Sequence, residues 1–293
     1  GLATTLYGAY INGRTWQEEL DEINDYEKIT KAEIVKFANE FFKENYVVVY
    51  KEKGVNDKLV RVQNPAITPI KLNRDSQSPF LKEILGTKAG EIKPQFVDFK
   101  TAIATSEIKD KKVSFVQNKY NKVAQVNYIF PFGTDNDKEL SLGVSVLQYL
   151  GTDKYTPEQL KEEFYKLGIS NSFRTSNDQT IITLSGLESN MKKGVELLNH
   201  WMTNVKADKA IYDQTVKTIL ESREVGKKDK GRIMAALSNY AKYGKDSRMT
   251  DIISKQRLES INVNELMSKI KTLNQYPYEI FLYGEDRKGL EKA

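Results

Sequence analysis

Between Leu140 and Gly168 the sequence leaves little freedom to the fold. Leu140, Leu147 and Leu150 recur within an apolar run that breaks at Gly151-Thr152, so the run reads as a helix with a buried face, ended by a turn. Asp137 or Asn136 can cap its start, just after the turn residues that begin at Phe132-Gly133. A second helix opens at Thr156-Pro157-Glu158-Gln159, with Thr as N-cap, Pro at the first helical position and Gln placed to reach back to the cap. Leu160, Phe164 and Leu167 form its apolar stripe, and Gly168 supplies the left-handed exit. Two capped helices with one apolar face each need a common layer to bury those faces against.

The flanking segments supply that layer. Val113 to Val116 and Val123 to Phe130 read as strands, the second with Val126, Tyr128 and Phe130 on one face. Ile169 to Arg174 and Thr180 to Leu187 form a further strand pair, split by the polar turn Thr175-Ser176-Asn177-Asp178-Gln179. Met191, Val195, Leu198, Met202 and Val205 then mark a helix by their spacing, followed by helices over about 209–225 and 231–243. Ile280 to Tyr283 closes the unit as a strand. Strands and helices in this order make an α+β fold.

The stretch Leu140 to Tyr155 resembles the metal helix of pitrilysin/insulinase-type zinc peptidases with its zinc ligands replaced. In that family an inverted H-x-x-E-H on a helix runs into a Gly-Thr turn followed by a Tyr. Laid on Gly151-Thr152 without a gap, the histidine positions fall on Leu142 and Val146 and the glutamate on Ser145. Leu150 to Thr156, Leu167-Gly168-Ile169 and Asn177-Asp178 carry the rest of the resemblance, which spans about residues 20–50 and 106–287. Family members are built from duplicated halves, one of which keeps the ligands. The resemblance therefore implies the non-catalytic half, an internal piece of a larger protein. It implies a LuxS/mitochondrial-processing-peptidase-like two-layer domain, with an antiparallel-rich sheet and helices, preceded by a linker and the tail of a homologous domain.

Three regions follow: residues 1–50 as the C-terminal part of a preceding peptidase-like domain, 51–105 as an extended linker between halves, and 106–293 as the non-catalytic peptidase-like domain. The linker expectation rests on composition. Residues 51–112 carry 13 Lys/Arg against 8 Asp/Glu, equal to the excess of +5 in the whole chain, and hold Pro65, Pro69, Pro79 and Pro94. The duplication also shows at the two ends. A shift of 232 residues places the Thr30-capped helix on the Asn262-capped one and Tyr46-Val47-Val48-Val49-Tyr50 on the strand from Tyr278, with Ile29/Ile261, Glu33/Glu265 and Tyr46/Tyr278 identical.

Composition narrows the chemistry. With no cysteine and a single histidine, a disulfide framework, a Cys-type zinc site and any site of two imidazoles are excluded for this chain. His200 sits about 200° round its helix from Leu198 and reads as a rim residue. Glu221 and Glu224 lie roughly where the resembled family keeps its third zinc ligand and a supporting acid. Their plain reading is pairing with Lys217 and Arg223 at helical spacing. Lys227-Lys228-Asp229-Lys230-Gly231-Arg232 reads as a solvated loop between helices. Gly86-Thr87-Lys88-Ala89-Gly90 is too short for a phosphate cradle, and no nucleotide-binding or serine-hydrolase motif occurs. The scattered Phe80, Phe96 and Phe99 give no nucleic-acid face. No apolar stretch reaches membrane-spanning length, and Gly1-Leu2-Ala3-Thr4-Thr5 has no signal-peptide pattern.

The expected role is a chamber and scaffold part of a zinc-dependent peptidase that degrades peptides or small proteins, inactive by itself. Its partners would be the catalytic half of the same polypeptide and peptide substrates, with no nucleic acid and no membrane. Zinc belongs to the other half, so no catalytic or metal residue is assigned in this chain and the substrate-binding residues are left open. The alternative is a stand-alone, non-enzymatic peptide-binding or assembly subunit with the same fold. Bacterial relatives point to the periplasm.

Overall fold

The computed structural model describes residues 1–51, 54, 63–69, 73, 75–88, 90–91 and 93–293. Contacts divide the chain into two units, Gly1–Ala89 and Gly90–Ala293.

Among its described residues the first unit holds four helices: α1 (Leu2–Ile11), α2 (Trp16–Lys28), α3 (Lys31–Phe41) and α4 (Pro79–Gly86). Local chemistry accounts for the starts of α2, α3 and α4. Thr15 and Thr30 form reciprocal capping boxes with Glu18 and Glu33, and Ser78 caps α4 ahead of Pro79. Burial does not follow. Ala9 is the only buried residue of these four helices, while Tyr10, Phe42 and Val47 are exposed at 81%, 75% and 90%. Caps start α2, α3 and α4, and α1 begins without one; next to nothing in the four helices is buried.

The duplication at the chain ends is corrected here. The helix half of the match holds, because α3 and the helix Val263–Lys271 both begin one residue after their caps. The strand half fails, since Tyr46 to Tyr50 has no strand conformation and is exposed throughout. A strand is defined by its ladder, and no strand occurs among the described residues of the first unit to pair with it.

In the second unit the strands are β1 (Ala104–Ile108), β2 (Lys111–Gln117), β3 (Val123–Phe130), β4 (Ile169–Thr175), β5 (Thr180–Leu187) and β6 (Glu279–Gly284). They form one sheet in the order β1-β2-β6-β3-β5-β4, antiparallel except for β2 with β6. The fold is α+β, as expected. Strand period two sorts the side chains: Ala124, Val126 and Phe130 of β3 are buried, whereas Gln125, Asn127 and Ile129 are only partly covered. Nine helices accompany the sheet among the described residues. They are α5 (Phe99–Ala102), α6 (Lys138–Leu147), α7 (Pro157–Lys166), α8 (Met191–Asn204), α9 (Lys209–Gly226), α10 (Lys230–Tyr243), α11 (Lys255–Ser260), α12 (Val263–Lys271) and α13 (Arg287–Lys292). α6 packs on α12 and β4, and α8 on β5 and α12, around Val146, Leu147, Leu198, Ile182, Leu184 and Ile270.

Asp137, not Asn136, caps α6, its Oδ1 accepting from Leu140 N at 2.8 Å. Leu150 is fully buried but lies beyond the helix, which ends at Leu147. The turn after it is pinned from several sides. Thr152 Oγ1 accepts from Lys154 N at 3.1 Å and Tyr155 N at 3.0 Å, Lys206 N donates to Gly151 O at 3.0 Å, and Trp201 Nε1 donates to Leu150 O at 2.9 Å. The β1–β2 hairpin turns at Lys109-Asp110, both at positive φ, without the Asn-Gly pair that announces such turns. No helix among the described residues is long and apolar enough to cross a membrane.

Candidate functional site

A cleft of about 340 Å³ opens at the N-terminal half of α6. Its floor carries Leu142 and Ser145, its rim Asp135 and Asn177, and its far wall Arg223 of α9. The rim is set by backbone contacts: Thr134 N donates to Ser176 O at 3.0 Å and Asp135 N to Asn177 O at 2.8 Å. Gly133 permits that approach. A Cβ there would stand 2.5 Å from the carbonyl oxygens of both Ser176 and Asn177, well inside contact distance.

The segment Ser247–Ile253 lies along the cleft as a strap. Arg248 Nη2 meets Asp135 Oδ2 at 2.7 Å, Lys138 Nζ meets Asp251 Oδ2 at 2.9 Å, and Arg223 Nη1 donates to Ile253 O at 2.9 Å. Ser247, 1% exposed, anchors the strap by accepting from Met249 N through Oγ at 3.2 Å. Just behind it, Arg257 grips Glu139 of α6, with Nη2 to Oε2 at 2.9 Å. This hydrogen bond holds the Glu139 carboxyl below its ordinary range, with attraction to the guanidinium adding to it against partial burial.

On the other side of the strap lies a larger, more apolar cavity of about 1310 Å³ between the end of α9, the start of α10 and Ile252. Arg223, Arg248 and Ile252 line both cavities. Val225, Ile233 and Met249 present apolar surface in it at 66%, 49% and 44% exposure.

Of the three positions that match the inverted motif, Leu142 and Ser145 line the cleft, while Val146 is fully buried in the core. Ser145 Oγ donates to Ser141 O at 3.0 Å, and Ser141 Oγ to Asp137 O at 2.7 Å. Both hydroxyls are spent on the turn behind them, and an activated nucleophile needs a base in reach. Among the described residues no three metal-ligating side chains converge. The residues present do not fit zinc, because two carbon side chains, a hydroxyl and a guanidinium offer it no ligand set.

His200, on α8, does not line this cleft. Its Nε2 lies 3.1 Å from Thr152 Oγ1 and 3.7 Å from Asp153 Oδ1, its Nδ1 3.2 Å from Asn204 Nδ2, and its ring meets Tyr155 edge-on at 5.6 Å. It is a rim histidine that braces the Gly-Thr turn. Glu221 and Glu224 are exposed, and the expected pairing with Lys217 and Arg223 is corrected. Glu224 instead meets Lys227 at 2.6 Å, and Arg223 points its guanidinium to the strap. The basic run is exposed but only its first half is a loop: Lys227-Lys228-Asp229 link the helices, whereas Lys230-Gly231-Arg232 form the first turn of α10, which Asp229 caps by accepting from Arg232 N at 2.7 Å. Part of Gly86–Gly90 lies outside the described residues. Sequence reasoning missed Arg223, Arg248 and the strap as site components. Arg248 and the strap meet α6, α9 and the 132–137 turn only through long-range contacts, for which a single sequence carries no local signal.

The family model for insulinase, peptidase family M16, matches residues 112–270, more than half of the chain. No curated protein matches. Among solved structures, the peptidase M16 inactive domain from Pseudomonas fluorescens aligns over 65% of this chain and 48% of its own length, at 16% identity and a TM-score of 0.55. The periplasmic protease PqqL from Escherichia coli aligns over 91% of this chain and 28% of its own, at 12% identity and a TM-score of 0.55. A mutant of the ferredoxin protease FusC, in complex with Arabidopsis ferredoxin, aligns over 99% and 35%, at 11% identity and a TM-score of 0.56. The chain thus spans less than half the length of these structures, and at such identities the likeness is one of fold.

Proposed function

Because the chain belongs to the insulinase family of peptidases, family M16, we propose that it is a non-catalytic wall and scaffold of a zinc-dependent peptidase whose hydrolytic half lies elsewhere in the same polypeptide. One observation carries this reading. The helix that resembles the zinc helix is followed, after a short turn, by its Gly-Thr pair, yet Leu142 and Ser145 face the cleft and Val146 is committed to the core. A family fold with such a helix keeps the shape of a substrate cleft and none of the chemistry. The region boundaries 1–50, 51–105 and 106–293 belong to the same proposal, as do peptides or small proteins as substrates and a periplasmic location. The last two are supported by the protein complex of FusC and by the compartment of PqqL.

The test has two arms. The gene upstream of Gly1 should encode an H-x-x-E-H with a downstream Glu, and the full product should cleave peptides in a chelator-sensitive way while this chain alone does not. Chelator-sensitive cleavage by a homogeneous preparation of this chain overturns the proposal. An upstream frame without the motif overturns it in favour of a non-enzymatic subunit.

A further inference from the structure

We infer that the cleft between α6, α9 and the 247–253 strap is a binding site for acidic, apolar-flanked peptide segments, with Arg223 as the carboxylate receptor. The inference rests on the chamber-wall reading above and adds the substrate class.

The charge count at the cleft is uneven. Lys138, Arg223 and Arg248 line it against Asp135 and Asp251. Lys138 and Arg248 are each engaged by one of those carboxylates, at 2.9 and 2.7 Å. Arg223 has no such partner among the described residues. Its one recorded bond, to Ile253 O, uses a single N–H of Nη1. Four N–H groups of the fork remain, on a half-buried guanidinium that faces both cavities. A planar fork of this kind matches a carboxylate in bidentate fashion.

The neighbouring cavity states what the rest of the ligand is. It places Arg223, Lys227, Arg232, Arg248 and Lys255 against Glu221 and Glu224, so its field is also positive, and one of those carboxylates is taken up by Lys227. Between the charges lies apolar surface from Leu220, Val225, Ile233, Met249 and Ile252. A free small anion would leave that surface wet. A peptide with an Asp or Glu beside aliphatic residues covers both parts, with its carboxylate on Arg223 and its apolar neighbours against the α9–α10 wall.

The test uses the full chain and three fluorescein-labelled decapeptides of alternating leucine with glutamate, glutamine or lysine, read by fluorescence anisotropy. The glutamate peptide should bind about tenfold tighter than the glutamine peptide, the scale of one charge-assisted contact. R223Q should bring that ratio to within about twofold, and R223K should keep part of it. S145D, which adds a carboxylate to the same cleft, should lower glutamate-peptide affinity more than glutamine-peptide affinity. A wild-type ratio near one, or a ratio that R223Q leaves intact, overturns the carboxylate assignment while the wall reading stands. If none of the three peptides binds, the peptide-binding part of that reading falls as well.

Discussion

Replacing Val146 with His asks whether the non-catalytic helix lost only its ligands or also the space for them. Val146 is 0% exposed in the core that α6 shares with β4 and α12. Removing the valine gives up roughly 1.5–3 kcal/mol of burial. The larger ring overfills a close-packed site at about 1–3 kcal/mol. Its N–H and lone pair add a further cost of about 1–3 kcal/mol if unpartnered. These costs overlap, and a net loss of about 3–5 kcal/mol is expected, a large fraction of a domain's usual stability. Trp201, 2% exposed, reports on this core once Trp16 is replaced by Phe, so urea unfolding followed by tryptophan fluorescence in a W16F background measures the loss. The triple variant L142H/S145E/V146H should be no better with zinc. Only two of its new groups are metal ligands, and the guanidinium of Arg223 faces the same cleft. A loss below about 1 kcal/mol together with stoichiometric zinc would refute the claim that packing, as well as ligand identity, silences this helix.

Other outcomes follow from single contacts. Trp201→Phe removes the donor to Leu150 O and leaves that carbonyl unpaired beside the Gly-Thr turn, which should cost about 1–3 kcal/mol by chemical denaturation; no measurable change would mean that the bond does not hold the turn. Tyr212→Phe deletes the buried bond to Leu258 O at 2.9 Å and should cost about 1 kcal/mol. In the wild type, burial pushes the Tyr212 phenol up to about 12, so its ultraviolet titration should lag the exposed tyrosines. Asn262→Ala should cost about 1 kcal/mol, because Asn262 Oδ1 accepts from Asn264 N at the start of α12. The lowered Glu139 carboxyl implies a pair with Arg257 that stabilises above the ordinary carboxylate range and is lost as pH falls through its folded value. Glu139→Gln should therefore lower the unfolding midpoint at neutral pH and not in strong acid; an equal loss at both would assign the effect to shape.

The local elements were legible because their causes are local. Thr156 with Gln159, Asp137 ahead of Leu140, the left-handed Gly168 and the alternation along Val123–Phe130 each act within one turn or one strand. So does the identity of Leu142, Ser145 and Val146, which excludes a zinc helix whatever the fold. What needed tertiary structure depends on partners distant in sequence. Tyr46 to Tyr50 has the pattern of a strand and no ladder to join, whereas Glu279–Gly284 becomes the centre of a sheet by inserting between β2 and β3. Lys109 and Asp110 turn a hairpin against their own preference because the paired strands hold them there. Arg223 looks like one more charge at helical spacing until the strap, 30 residues on, brings the Ile253 carbonyl to it and leaves the rest of its fork facing a cleft. Spacing along a chain decides which face a side chain takes; only the packed molecule decides what stands opposite.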